Sequence, residues 1–95
     1  MSEQALQQVI VQWARSLGIE WYHTRDSRGS RKGFPDLVLV GSRVLYRELK
    51  TQVGKLTAEQ ERWGARLRRA GASWDVWRPD DLQSGRILRE LREIL

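Results

Sequence analysis

The sequence predicts an α/β fold: a mixed β-sheet flanked by helices, with one more helix at the C-terminal end. Three patterns within the 95 residues lead there. Apolar residues recur every three or four positions near both ends of the chain. Two apolar β-rich runs are separated only by a short break at Gly41-Ser42, as in a β-hairpin. A helical segment then divides this hairpin from a last short strand, giving the order helix, three strands, helix, strand, helix.

Leu6, Val9, Ile10, Trp13 and Leu17 share one helical face, so residues 2–17 form an amphipathic helix with Ser2 as N-cap and Gly18 as its stop. Residues 19–24 are β-rich and make the first strand. Residues 25–33 carry Gly, Ser and the cations Arg25, Arg28, Arg31 and Lys32, and make the one flexible stretch. Residues 35–40 are the second strand, with Pro35 tolerated at its first position, and 43–50 the third. Residues 57–70 are the second helix, closed by Gly71. A short strand, 73–77, stops before Pro79. The last helix, 84–95, places Ile87, Leu88, Leu91, Ile94 and Leu95 on one face, with Arg86, Arg89, Arg92 and Glu93 off it. No repeat or long linker interrupts this series, and the length suits a single small domain, 1–95. Trp13, Trp63 and Trp74 fall at periodic positions and are expected in the core. For Trp21 and Trp77, burial and stacking on a base both stay open.

The chain is 40% hydrophobic with five Trp, too apolar for a disordered segment. It has no cysteine, which excludes a disulfide framework and a thiolate metal site or nucleophile. No apolar run approaches the roughly 20 residues that span a bilayer, and the N-terminus lacks a signal-peptide pattern. A soluble protein of the reducing cytoplasm is expected. Seventeen Lys+Arg against twelve Asp+Glu give a net charge of +5, and fourteen of the seventeen are Arg. The guanidinium fork grips phosphate bidentately and stacks on bases, so this charge points to a nucleic-acid partner rather than to solubility alone.

Two segments concentrate the chemistry: Gly33-Phe34-Pro35-Asp36 and Glu48-Leu49-Lys50. Residues two apart on a strand project to the same face, so Glu48 and Lys50 stand side by side. A carboxylate holds a hard divalent cation through oxygen, and an adjacent ammonium can orient water or stabilise charge at a reacting phosphate. Asp36, at the start of the partner strand, completes such a site only in one register. A three-residue loop pairs Val40 with Val44 and sets Asp36 opposite Glu48. A two-residue loop pairs Asp36 with Arg47 and turns Glu48 to the other face. Val38, Val40, Val44 and Tyr46 line the face of Glu48, so the charges are expected to end a buried apolar strip, where they need a partner or an ion. The competing reading is a surface Glu48–Lys50 ion pair worth about 0 to 1 kcal/mol.

The ordered set Gly33-Phe34-Pro35-Asp36, Glu48-Leu49-Lys50 and Leu56-Thr57 with Gln60 resembles the VRR-NUC (virus-type replication-repair nuclease) domain of the PD-(D/E)xK nuclease superfamily. The resemblance runs from Glu3 to Trp77 and is to the stand-alone form found in phages and bacteria. It implies a restriction-endonuclease-like αβββαβ core. It also implies that Asp36, Glu48 and the Leu49 carbonyl bind Mg²⁺ or Mn²⁺, that Lys50 positions the attacking water, and that Gln60 supports the site. Glu3 matches an acid that often reaches the metal in the superfamily. The implied activity is structure-selective cleavage of DNA, resolving four-way (Holliday) junctions as a homodimer in repair or recombination, in a bacterial or phage-infected cell.

Glu3 and Gln60 each have a local explanation as well. Glu3 extends the apolar face of the first helix, where a first-turn acid is favoured by the helix dipole. Thr57-Ala58-Glu59-Gln60 is a capping-box pattern in which Gln60 bonds back to the Thr57 N–H. Arg62, Arg66 and Arg69 form a stripe along the second helix. With Arg25, Arg28, Arg31 and Lys32 of the preceding loop, Arg62 and Arg66 are candidate phosphate contacts; the alternative for the stripe is pairing with Glu59 or Glu61. His23 is the single histidine, with no second His or Cys to share a zinc ion, and no catalytic role is expected of it. The apolar face of the last helix is a candidate dimer surface, against packing on its own sheet. Two other function classes remain: a catalytically silent nucleic-acid-binding module on a nuclease-like fold, and a structural accessory protein.

Overall fold

A computed structural model describes residues 1–25 and 31–95. Eight elements follow in order: α1 (Glu3–Ser16), β1 (Glu20–His23), β2 (Leu37–Val40), β3 (Val44–Leu49), α2 (Ala58–Arg69), β4 (Ser73–Trp77), α3 (Pro79–Gln83) and α4 (Arg86–Arg92). The strands form one sheet in the order β1-β2-β3-β4. The first three are antiparallel, and β4 lies parallel to β3. The parallel pair needs a crossover, and α2 supplies it. Ser2 caps α1, its hydroxyl accepting from the Ala5 N–H at 3.0 Å, and Gly18 follows the helix in the left-handed region at φ 73°.

The hairpin takes the odd-length loop, with Val40 opposite Val44 and Val38 opposite Tyr46. The buried face is nevertheless the other one. Leu37, Leu39, Leu45 and Leu49 pack with Leu6, Ile10 and Ala14 of α1, with Ile87 and Leu91 of α4 and with Ile94. Val40 and Val44, expected within a buried strip, are exposed, while Val38 and Tyr46 are half-buried. Both faces of this hairpin are apolar, so alternation alone does not say which of them the long helices cover.

The chain after β4 also departs from expectation. A single helix over 84–95 is the simpler pattern, but Pro79 opens the separate short helix α3. Proline suits the first helical position, where its missing N–H would be unpaired anyway. The Asp81 carboxylate accepts from the Arg78 N–H at 2.8 Å, and Gly85, at φ 84°, ends the turn before α4. The apolar face of α4 meets its own core through Ile87 and Leu91, which removes it as a dimer surface, and Leu95 is exposed.

The tryptophans divide unexpectedly. Trp77 is fully buried and Trp13 packs against the edge of the core. Trp74 is buried on the opposite face of the sheet, beneath α2, and a Cβ on Gly64 would stand 2.6 Å from its ring. Trp63 is half-buried outside the core cluster. Arginines occupy the outer edge of β4: Arg68 Nε donates to the Trp74 carbonyl and Arg86 Nη1 to the Val76 carbonyl, each at 3.2 Å.

Candidate active site

The site lies where the hairpin ladder runs out. The last β2–β3 pair is Leu37 with Arg47, and one residue further each way sets Asp36 against Glu48. Asp36 Oδ2 accepts from the Leu49 N–H at 2.9 Å, so the carboxylate takes over a ladder position. Ahead of it, Gly33 lets the chain pass beneath the first turn of α2. Its φ is 93°, and a Cβ there would stand 2.5 Å from the Glu59 carbonyl carbon, so both backbone conformation and space require glycine.

Glu48 is only 2% exposed. Gln60 reaches it from α2, donating from Nε2 to Glu48 Oε2 at 3.0 Å. The same amide closes the capping box, its Oε1 accepting from the Thr57 N–H at 2.9 Å. The cap and the site contact are therefore not alternatives. Because the cap needs an acceptor, the oxygen faces Thr57, and the NH₂ group is left to face Glu48. Burial first, then a hydrogen bond and charge repulsion from Asp36, push the Glu48 carboxyl up from its ordinary 4.5 to about 9. Two carboxyl groups this close do not both ionise readily without a cation.

Lys50 is 9% exposed and shares no ion pair with Glu48 or any other acid among the described residues. The surface Glu48–Lys50 bridge therefore does not form: both side chains are buried. An ammonium held beside a carboxyl pair without being neutralised by it stays free for another anion.

A cleft of about 540 Å³ opens beside the pair, lined by His23, Thr24, Arg25, Arg31, Gly33, Phe34, Asp36 and Gln60. Arg25 and Arg31 thus fall where phosphate contacts are expected, while Lys32 is exposed and its carbonyl accepts from Trp63 Nε1 at 3.1 Å. Arg28 lies outside the described residues. Arg62 and Arg66 are exposed and make no ion pair with Glu59, Glu61 or any other acid among the described residues. They line a neighbouring hollow with Arg31 and Trp63. Sequence reasoning gives no part to His23 or Thr24, which reach the cleft from β1 and its end. Thr24 continues the β1–β2 ladder, its N–H donating to the Asp36 carbonyl at 2.9 Å.

These residues fit a hard divalent cation. Asp36 and Glu48 offer carboxylate oxygens, and Mg²⁺ is commonly held by one or two carboxylates plus water and substrate phosphate. The Thr24 hydroxyl is the one buried side-chain polar atom without a hydrogen-bond partner among the described residues, and Thr24 lines the same cleft. Glu3 is exposed on α1; its charge adds last and least to the rise at Glu48. No group of three or more His, Asp or Glu side chains gathers as a metal cluster among the described residues, so Glu3 does not join the pair here.

A second polar network, beyond the reach of sequence reasoning, fixes the sheet behind the site. Arg47 neighbours Glu48 but points into the opposite face, 4% exposed. Its guanidinium pairs with Glu90 of α4 at 3.0 Å and bonds the Ser73 carbonyl at 2.8 Å. Glu90 also accepts from Trp77 Nε1 at 2.9 Å and from Arg86 Nε at 2.7 Å. Burial alone would raise the Glu90 carboxyl, but the bonds from Trp77, Arg86 and Arg47 hold it below its ordinary value. Partners 43 residues apart leave no local sequence signal.

The mixed sheet, the crossover helix and the cleft that Asp36 lines at the strand ends belong to a nuclease-type fold. The VRR-NUC domain family model matches residues 1–80. The chain belongs to the VRR-NUC domain family, whose nuclease character indicates DNA as the class of substrate. Among solved structures, one described as a VRR_NUC domain protein superposes with a TM-score of 0.75 at 18% sequence identity, covering 99% of this chain and 90% of the other. No curated relative matches the chain. Among the described residues, no helix is long and apolar enough to cross a membrane.

Proposed function

We propose that this protein is a Mg²⁺- or Mn²⁺-dependent endonuclease that hydrolyses phosphodiester bonds in branched DNA, acting as a homodimer on four-way junctions in a bacterial or phage-infected cytoplasm. The observation that carries the reading is the convergence of Asp36 and Glu48, with Glu48 buried and Lys50 beside it on the same strand face. Asp36, Glu48 and the Leu49 carbonyl would hold the ion. When bound, it lowers the pKa of a water and neutralises charge developing on the phosphate.

The chain's own residues do the rest. Gln60 fixes the Glu48 carboxylate through Nε2. Lys50, without an ion-pair partner among the described residues, orients the attacking water and then stabilises the negative charge on the phosphate oxygens. The water oxygen bonds to phosphorus and one P–O ester bond breaks, the water giving a proton to solvent and the departing oxygen taking one from it. Arg25 and Arg31 draw the backbone into the cleft by contacts that are independent of sequence. A homodimer supplies the two symmetric nicks that a junction requires.

The test is cleavage of a four-way junction, a flap and plain duplex by the purified protein with Mg²⁺, Mn²⁺ or EDTA. Junction cleavage that needs the ion and disappears in Lys50→Ala, with DNA binding retained, is expected. Binding without cleavage in either metal would leave a silent DNA-binding module, and turnover by Lys50→Ala would remove Lys50 from the chemistry.

A further inference from the structure

Beside the acid cleft lies a hollow of about 350 Å³ whose walls are Arg31, Arg62, Trp63 and Arg66. Its lining is thus three arginines and one tryptophan. Trp63 is held as a rigid platform. Its Nε1 donates to the Lys32 carbonyl at 3.1 Å, and Phe34 abuts it edge-on, with ring centroids 5.0 Å apart and planes at 85°. Phe34 is in turn fixed edge-on against Tyr46 at 6.1 Å. The periodic position of Trp63 predicts a core residue, yet the indole takes no part in the core cluster.

The hollow adjoins the active-site cleft. Arg31 lines both recesses, with Asp36 and Gln60 on one side and Trp63 on the other. Gln60, which touches Glu48, and Trp63 are three residues apart on α2 and so share a face. Their separation along the helix axis is about 4.5 Å, on the order of one nucleotide step. The Arg31 guanidinium already lies over the Trp63 ring, 5.9 Å from its centroid, so the indole face carries a planar cation that a base would replace as Arg31 turns to a phosphate. A phosphate alone would need the guanidiniums and not the indole. A nucleotide needs both, a flat surface for its base and cations for its flanking phosphates.

We infer that this hollow is a nucleotide subsite in which an unpaired DNA base stacks on Trp63 while Arg31, Arg62 and Arg66 hold the adjoining phosphates. This deepens the nuclease reading and rests on it: the preferred substrate carries a single-stranded nucleotide next to the cleaved bond. A base stacked inside an intact duplex cannot reach the indole without being unpaired.

Binding in EDTA tests the subsite independently of turnover, so its failure and that of the nuclease reading are distinguishable. The probes are fluorescein-labelled oligo-dT and a blunt duplex, followed by anisotropy. Trp63→Leu keeps apolar bulk but removes the π-face. It is expected to weaken oligo-dT binding about ten-fold or more, to leave duplex binding within about two-fold, and to abolish quenching of intrinsic fluorescence by oligo-dT. Trp63→Phe, still aromatic, should retain most of the single-strand affinity, and circular dichroism of both variants checks that they fold. Arg62→Ala with Arg66→Ala should weaken both probes and reduce the salt slope. Oligo-dT binding by a folded Trp63→Leu equal to that of the wild type would overturn the inference, as would equal losses on both probes. Should Trp63→Leu fail to fold, loss of oligo-dT affinity in Trp63→Phe as large as that of the arginine pair would overturn it too.

Discussion

Replacing Glu48 by Gln should stabilise the metal-free protein at alkaline pH. The Glu48 carboxyl is raised to about 9, by burial first and by its neighbour Asp36 second. Between its ordinary value of 4.5 and about 9, the folded chain therefore binds a proton that the unfolded chain has released. Raising the pH favours the state with fewer protons, so this contribution to stability is full below 4.5 and is lost as pH climbs through the raised value. One proton gives a limiting slope of about 1.4 kcal/mol per pH unit, or about 4 kcal/mol from about pH 5 to about pH 8. An amide has no proton to lose. In Glu48→Gln the amide oxygen would still accept from Gln60 and the new NH₂ group would donate to the Asp36 carboxylate, so both hydrogen bonds survive. The assay is thermal unfolding by near-ultraviolet circular dichroism across this range, with EDTA or millimolar Mg²⁺. In EDTA the two proteins should melt together at about pH 5 and diverge as pH rises, the variant reaching a Tm higher by on the order of 20 °C. Mg²⁺ should restore the wild type at high pH, because an ion that binds only the folded state stabilises it, and should do nothing for Glu48→Gln. Parallel pH profiles, or a variant less stable at about pH 8, would refute this account of the carboxyl pair.

Two other substitutions address the scaffold. Gln60→Ala removes a cap and a carboxylate partner at once; it should cost about 0.5 to 2 kcal/mol in urea unfolding and lower cleavage more than DNA affinity, so an unchanged cleavage rate would confine Gln60 to the cap. Glu90→Ala leaves Arg47 buried without its counter-charge and should destabilise the fold by about 3 to 5 kcal/mol. The Glu90 carboxyl lies below its ordinary value, so its contribution is present above 4.5 and fades as pH falls, a loss that acid titration of the variant should no longer show.

Much of this fold is written locally. Ser2, Gly18 and the capping box at Thr57 mark helix ends by residue type, whereas Gly41-Ser42 fits a hairpin loop of two residues or of three, and the structure takes three. The choice of covered face is not local: Leu37, Leu39 and Leu45 alternate with Val38, Val40 and Val44, and only the arrival of α1 and α4 distinguishes the two sets. Pro79 has two meanings, the end of a strand and the start of a helix, and Asp81 decides between them by bonding back to Arg78. The site shows the same division. Spacing sets Asp36 opposite Glu48 only if the loop has three residues, and the burial that sets the Glu48 ionisation comes from elements remote in sequence. The two functions of Gln60 look exclusive only because a sequence motif does not show that an amide has two ends.

The arginines on β4 carry a consequence for assembly. With the Trp74 and Val76 carbonyls already occupied by Arg68 and Arg86, a foreign strand gains little by docking there. The opposite border, β1, bears the exposed rings of Trp21 and Tyr22. Sheet growth through β1 would consume the receptive border of each copy, so it would terminate at a closed pair and never propagate into a fibre.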